Sequence, residues 1–180
     1  PYTMGPGVMQ ASNEVTIPTT FTEVKWVKAV DLLPGISSMV RRAYISLEGG
    51  PVLAVWEPGD DAVDPPSGAA FKIPVGAKIR LKVDYKKSWQ DEQKSLADKS
   101  VVGFYFTEEP FSGKSVESLT IDGPKDQPLG PRAFSDTLKT GGRIVGLRPM
   151  LDGPYSVVEV TAVAASGRKV PLLKLRNARP

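Results

Sequence analysis

Residues 76–86 read Gly-Ala-Lys-Ile-Arg-Leu-Lys-Val-Asp-Tyr-Lys, and in this stretch apolar and polar side chains alternate one by one. Such alternation is typical of a strand with one face in a hydrophobic core and the other in water. The face that we expect to be buried holds Ile79, Leu81, Val83 and Tyr85. The opposite face, on which a functional site would lie, holds Lys78, Arg80, Lys82, Asp84 and Lys86.

Short apolar stretches separated by Gly and Pro turns lie on both sides of this strand. They are residues 15–18, 21–33, 38–47, 52–56, 101–107, 142–147, 157–163 and 169–175. Many short strands with such turns predict an all-β fold, a jelly-roll-type antiparallel β-sandwich. Residues 101–107 are apolar on both faces, so we expect a central strand there. Residues 88–100 fit either a short helix or a solvated excursion between strands.

The composition changes between residues 111 and 130, where Pro, Gly, Ser and charged residues replace the apolar runs. We take this change as a boundary between two structural units. The predicted parts are an extended N-terminal arm at 1–14, a jelly-roll β-sandwich at 15–110, a linker at 111–130 and a second, abbreviated β unit at 131–180. The last two strands of that unit, 157–163 and 169–175, are expected to form a hairpin.

The chain of 180 residues contains neither His nor Cys. This excludes thiol chemistry, disulfides, thiolate zinc sites and imidazole ligands, so catalysis would have to use carboxylates, Lys, Tyr or Ser. The 23 basic residues are spread among 20 acidic ones, which argues against a nucleic-acid partner. No apolar run approaches the roughly 20 residues of a membrane helix, so we predict no transmembrane segment.

Two charge clusters need an interpretation. The acidic residues Asp60, Asp61 and Asp64 lack the spacing of a calcium loop, and we interpret them as a solvated loop. We interpret the lysines of 78–86 as part of the solvent-exposed face of a sandwich. Lysine at a sheet edge also protects that edge from aggregation. Arg41 and Arg42 lie in mid-strand, so one of them must lie near the sheet interior and requires a carboxylate partner.

The order of six segments resembles the bacterial relatives of the copper type II, ascorbate-dependent monooxygenases, a family whose best-known member is peptidylglycine α-hydroxylating monooxygenase. The likeness runs from about residue 15 to residue 175 and rests on segment order and spacing. The segments are Phe21-Thr-Glu-Val-Lys-Trp-Val-Lys-Ala-Val-Asp-Leu-Leu-Pro-Gly35, Met39-Val-Arg-Arg-Ala-Tyr-Ile45, Val55-Trp-Glu-Pro-Gly59, Ile73-Pro-Val-Gly-Ala-Lys-Ile-Arg-Leu-Lys-Val-Asp-Tyr85, Val102-Gly-Phe-Tyr-Phe106 and Gly142-Arg-Ile-Val-Gly-Leu-Arg-Pro149.

The resemblance implies two jelly-roll sandwiches that each hold one copper through histidines. The positions that match those ligands are Arg41, Arg42, Asp84 and the stretch from Met150 to Asp152. Copper of this type prefers imidazole nitrogen, and one methionine among carboxylates does not replace it. We therefore expect a degenerate member of the family with former metal-site positions, no catalytic residues and no cofactor. The second domain is expected to be abbreviated or cut.

A hypothesis about the former site follows from the resemblance. If these positions once converged on one copper, Arg41 or Arg42 still lies close to Asp84, and an ion pair replaces the metal.

The expected function is a non-catalytic structural or protein-binding module whose partners are other protein subunits. The resemblance implies a periplasmic or secreted location, as an accessory subunit of an envelope or electron-transfer assembly, and an association with a membrane complex is among the expected roles. Two alternatives stay open. One is an enzyme, either copper-dependent or built on Glu57, Asp60, Asp61 or Asp84. The other is a carbohydrate-binding sandwich that uses Trp56 or Trp89.

Overall fold

The structure is a computed structural model that describes residues 1–62, 65–66, 68–123, 130–138, 141–151 and 153–179. These residues form an all-β fold, as predicted, with one 3-10 turn at Trp89–Asp91. None of the described helices is long and apolar enough to cross a membrane. The strands are β1 (Tyr2–Met4), β2 (Gln10–Pro18), β3 (Lys25–Leu33), β4 (Val40–Leu47), β5 (Val52–Trp56), β6 (Ala69–Ile73), β7 (Lys78–Lys86), β8 (Leu96–Asp98), β9 (Val101–Phe106), β10 (Lys114–Ser115), β11 (Tyr155–Val163) and β12 (Lys169–Ala178).

The chain divides into two units, Pro1–Asp136 and Thr137–Pro180. The first unit contains two four-stranded sheets. Sheet I has the strand order β2-β7-β4-β5, and all its neighbouring strands are antiparallel. Sheet II has the order β10-β6-β3-β9, in which only the β10–β6 pair is parallel.

The alternation predicted for β7 is confirmed. Its four apolar side chains are between 2% and 5% exposed, whereas the residues between them lie on the outward face. Both neighbours of β7 are hydrogen-bonded to it, so it is an inner strand of sheet I. The interpretation of its lysines as protection of a sheet edge is therefore wrong.

One hydrophobic core contains the inward faces of both sheets, which makes the first unit a β-sandwich. Jelly-roll connectivity stays a prediction. Sheet II contributes Val27, Val30, Phe71 and Ile73, and sheet I contributes Ala43, Ile45, Leu53, Leu81 and Val83.

The strand β9 differs from its prediction, because it lies at the end of sheet II and not in its centre. Val102 and Phe104 pack against the core, but Val101 and Tyr105 on the opposite face are 54% and 50% exposed. One face of β9 is thus buried against the core, and the other face is apolar but exposed to solvent.

The first fourteen residues do not form a free arm. Residues 2–4 pair with β8, Met4 is only 1% exposed, and β2 pairs with β7 along its whole length. The segment is held by the buried ammonium of Lys87, which donates hydrogen bonds to the carbonyls of Gly5 at 2.7 Å and Lys94 at 2.5 Å. The predicted boundary after residue 14 falls inside β2.

The predicted linker at 111–130 begins inside the first unit. Its residues Lys114–Ser115 form β10, which pairs with β6, and Val116 packs against the core. Residues 124–129 lie outside the described part of the chain.

In the second unit, β11 and β12 form the predicted antiparallel hairpin, with Gly167 in its turn at φ 79°. The strand predicted at 142–147 is absent from the described residues, which are irregular there. A strand needs a neighbour to accept its backbone hydrogen bonds, and no described segment pairs with this one.

Candidate functional site

The outward face of sheet I contains the residues that sequence reasoning placed at a former metal site. In the strand register, Asp84 of β7 lies between Ser12 of β2 and Arg42 of β4. The register shifts between Val40 and Arg42, which leaves Arg41 as an extra residue in β4. This irregularity turns the Arg42 side chain to the outward face beside Asp84.

The Arg42 guanidinium binds Glu57 and not Asp84. Its Nε donates to Glu57 Oε1 at 2.6 Å, its Nη2 lies 2.5 Å from the same oxygen, and its Nη1 donates to the Tyr44 hydroxyl at 3.4 Å. Among the described residues, Asp84 forms no ion pair with either arginine, so that part of the hypothesis is wrong. The expectation that a half-buried arginine has a carboxylate partner is confirmed, since the Arg42 side chain is 25% exposed.

Other cations on this face also have partners. Arg80 Nε lies 3.3 Å from a carboxylate oxygen of Glu14 on the adjacent β2. Lys82 Nζ lies 5.5 Å from the centre of the Tyr44 ring, within the range of a cation–π contact. An anionic ligand at this face would have to compete with these contacts.

The remaining former metal-site positions are Arg41, Met150 and Asp152. Arg41 is exposed, and Met150 in the second unit is 45% exposed. Asp152 lies outside the described residues.

The side chains at Arg42 and Asp84 do not fit copper. A guanidinium offers no lone pair to a metal and carries a positive charge, and it is already bound to Glu57. In the described part of the chain, no three acidic side chains are grouped closely enough to hold a metal ion.

The acidic loop has a local structural role at its start. The Glu57 N–H donates to Asp60 Oδ2 at 2.9 Å, and the Asp60 N–H donates to the Glu57 carbonyl at 2.9 Å. Asp60 therefore closes the turn after β5. Asp61 is exposed, and Asp64 lies outside the described residues.

The two tryptophans considered for carbohydrate binding lie in different environments. Trp56 is 8% exposed and belongs to the core, so it offers no stacking surface. Trp89 is 80% exposed on the 3-10 turn. Of the two candidate tryptophans, only Trp89 thus has a ring exposed for stacking.

Sequence reasoning missed the buried carboxylate of Asp98, which is 2% exposed. Its oxygens accept hydrogen bonds from Ile36 N–H at 2.8 Å, the Ser100 hydroxyl at 2.7 Å, Ser100 N–H at 3.1 Å and the Tyr85 hydroxyl at 3.1 Å. Burial acts to raise the pKa of Asp98, but the hydrogen bonds from Ser100, Ile36 and Tyr85 outweigh it and hold that pKa below its usual value.

This cluster links β7, the turn before β4 and the turn after β8. Burial of the Tyr85 side chain raises the pKa of its phenol, and the negative charge of Asp98 raises that pKa further by a smaller amount. The sequence signal was the short polar turn Asp98-Lys-Ser100, because Asp side chains accept hydrogen bonds from residues two positions on.

A second feature missed by sequence reasoning lies on the outward face of sheet II. Leu33 and Val101 are directly opposite each other on β3 and β9 and are 69% and 54% exposed. Tyr105 lies on the same face of β9, four residues after Val101, and is 50% exposed. We call these three side chains, together with the outer backbone edge of β9, the β9 surface.

A pocket of about 340 Å³ lies at one end of the first unit, beside the β4–β5 turn. Lys72, Lys78, Glu48 and Glu117 contribute charges of both signs to its lining, and Lys78 Nζ lies 3.3 Å from Glu48. Lys78 of the outward face of β7 lines it, whereas Arg42 and Asp84 do not.

Comparisons with protein-family models, curated proteins and solved structures find no match to this chain. The resemblance to the copper-dependent monooxygenases therefore stays a prediction.

Proposed function

We propose that this chain is a non-catalytic protein-binding module on a monooxygenase-like β-sandwich whose copper positions have been replaced. We further propose that it acts as an accessory subunit of a periplasmic or envelope assembly. The location and the kind of assembly follow from the family resemblance alone. The binding role is supported by the β9 surface, which is the observation that carries the proposal.

The β9 surface has the properties of a protein contact. Leu33, Val101 and Tyr105 expose apolar area on one face of neighbouring strands. Soluble sandwiches usually protect an end strand with lysine, proline or a bulge, whereas residues 101–106 of β9 contain no charge and no proline. Such an edge is suited to accept a further strand.

The arrangement on sheet I supports the non-catalytic part of the proposal. Arg42, which matches a copper ligand position in the resemblance, is engaged by Glu57 and Tyr44. An ion pair of this kind stabilises the outward face but supplies neither a nucleophile nor a metal ligand.

The binding role can be tested by photo-crosslinking in cells that produce the protein. Benzoylphenylalanine replaces Tyr105 in one variant and Trp89 in the control, since both are exposed aromatic side chains. We expect the probe at position 105 to capture protein in discrete bands and the probe at 89 not to do so. Equal capture at both positions, or none at 105, would overturn the proposed surface.

A further inference from the structure

We propose that the β9 surface binds a second copy of this chain, with the two β9 strands antiparallel across a two-fold axis. The inference rests on the proposed function because it names the partner of the same surface. It follows from the backbone geometry, the side-chain register and the charges at the ends of β9.

The backbone of β9 offers hydrogen bonds on its outer side. Thr107 N–H donates to the Trp26 carbonyl at 2.9 Å, so odd-numbered residues of this segment direct their backbone groups toward β3. The backbone groups of Val102, Phe104 and Phe106 accordingly point to the opposite edge. Among the described residues, β3 is the only strand paired with β9.

Symmetry limits the possible registers. In an antiparallel pair, residues directly opposite each other lie on the same face of the sheet. When two identical strands pair across a two-fold axis, opposite residues are therefore both odd-numbered or both even-numbered, and the sum of their numbers is even. The two registers centred on β9 place either Gly103 or Phe104 opposite its own copy.

The register centred on Phe104 has the better side-chain pairs. It places the two Phe104 rings opposite each other and Val102 opposite Phe106, both on the inward face. On the outward face it places Gly103 opposite Tyr105 of the second copy, so that an aromatic ring covers each glycine. The alternative register places two glycines opposite each other and loses this contact.

The same register also pairs opposite charges. Lys99 lies in the turn before β9 and Glu109 lies beyond its end, so the two-fold axis brings Lys99 near Glu109 of the second copy, and symmetry produces this pair twice. Lys99 is exposed and forms no ion pair in the described part of the chain, while Glu109 has only a 3.8 Å contact with Lys25. Complementary charges at the two ends of an uncharged strand favour antiparallel self-pairing over parallel pairing.

Self-pairing would join two copies of sheet II into one eight-stranded sheet. Leu33, Val101 and Tyr105 of both copies would then lie on its outward face, with Asp31 of each copy between them, opposite Gly103. A single pair of edge strands is a small interface, so we expect a dissociation constant on the order of 10–100 μM.

Sedimentation of the purified full chain between 1 and 500 μM tests the proposal. We expect a monomer–dimer equilibrium that Lys99→Glu and Glu109→Lys each weaken about tenfold, because each places like charges near each other twice. The double variant Lys99→Glu/Glu109→Lys should restore the affinity of the unmodified chain. Lys86→Glu on sheet I is the control for Lys99→Glu, with the same change in net charge and no expected effect.

Two results would overturn self-pairing. One is a monomer at 500 μM, and the other is a dimer that neither single charge reversal weakens. Thermal unfolding of each variant checks that the fold is intact, which we expect because Lys99 and Glu109 are exposed. If the chain is monomeric but the probe at position 105 still captures another protein in cells, self-pairing fails while the proposed function stands.

Discussion

Arg42 lies opposite Asp84 in the β4–β7 register, yet its guanidinium binds Glu57, with Nη2 and Oε1 2.5 Å apart. The carboxylate directly opposite an arginine on the neighbouring strand is therefore not necessarily its ion-pair partner. Glu57 follows β5 on the other side of β4, and the Tyr44 hydroxyl accepts a further hydrogen bond from Arg42. The outcome is an ion-paired sheet face at the position where the family resemblance implies a metal.

The selection of Glu57 can be measured by a double-mutant cycle with Arg42→Met and Glu57→Gln. We expect a coupling free energy of about 1 kcal/mol, because the pair is partly shielded from water and uses two guanidinium nitrogens. Urea unfolding of the four proteins gives the value.

A second cycle with Arg42→Met and Asp84→Asn is the control. It should give a smaller coupling, since these two side chains form neither a hydrogen bond nor an ion pair. A larger coupling for Asp84 than for Glu57 would contradict the observed pairing.

The buried carboxylate of Asp98 predicts a dependence of stability on pH. Its pKa is lower in the folded chain than in the unfolded chain, so its contribution is fully present above the unfolded value of about 4 and is lost as the pH falls through the folded value. Asp98→Asn should lower the free energy of unfolding by about 2 kcal/mol at pH 7, because an amide cannot accept all four hydrogen bonds.

The test is urea unfolding of both proteins at pH 7 and at several values between 4.5 and 2.5. The difference between the unmodified chain and Asp98→Asn should shrink as the solution becomes more acidic. A difference that is constant over this range would show that the charge of Asp98 does not stabilise the fold.

Much of the fold could be predicted from the alternation of side chains. Residues 78–86 and the β11–β12 hairpin have clear patterns of period two, and the structure contains both. The position of β9 could not be predicted, because an exposed apolar face and a buried one look identical in sequence. Residues 1–14 pair with distant strands and with the ammonium of Lys87, whose hydrogen bond to the Gly5 carbonyl leaves no local pattern.

Lys87→Met tests how the N-terminal segment is held. The substitution leaves the carbonyls of Gly5 and Lys94 without their donor, so we expect a loss of about 2 kcal/mol in stability. Backbone amides of β1 should exchange with solvent faster than in the unmodified chain. Lys86→Met changes the neighbouring, exposed lysine and should affect neither quantity. Unchanged exchange in Lys87→Met would contradict this role.

Thr107 carries a buried hydroxyl that has no hydrogen-bond partner among the described residues. Thr107→Val keeps the shape and removes the unsatisfied oxygen, so its stability should be equal or up to about 1 kcal/mol higher. Thr107→Ser keeps the hydroxyl but loses a methyl group, and it should be less stable than the unmodified chain. Thermal unfolding distinguishes the two. A Val variant less stable than the Ser variant would mean that the hydroxyl has a partner.

The candidate site was predictable in position but not in chemistry. The family resemblance implied that Asp84 and Arg42 lie near each other, and the two residues are opposite each other in the β4–β7 register. The choice of Glu57 depends on the register shift at Arg41 and on a residue beyond the end of β5, and neither is encoded in a pattern of hydrophobicity. The β9 surface was missed because its exposure depends on what covers a strand in three dimensions.

We propose that this scaffold functions in binding and has no copper centre of its own. Copper titration by calorimetry, combined with oxygen uptake in the presence of Cu(II) and ascorbate, tests it most directly. We predict no stoichiometric binding of micromolar or tighter affinity, and an oxygen-uptake rate equal to that of copper and ascorbate without protein. Stoichiometric copper binding of that affinity, together with protein-dependent oxygen uptake, would contradict the account.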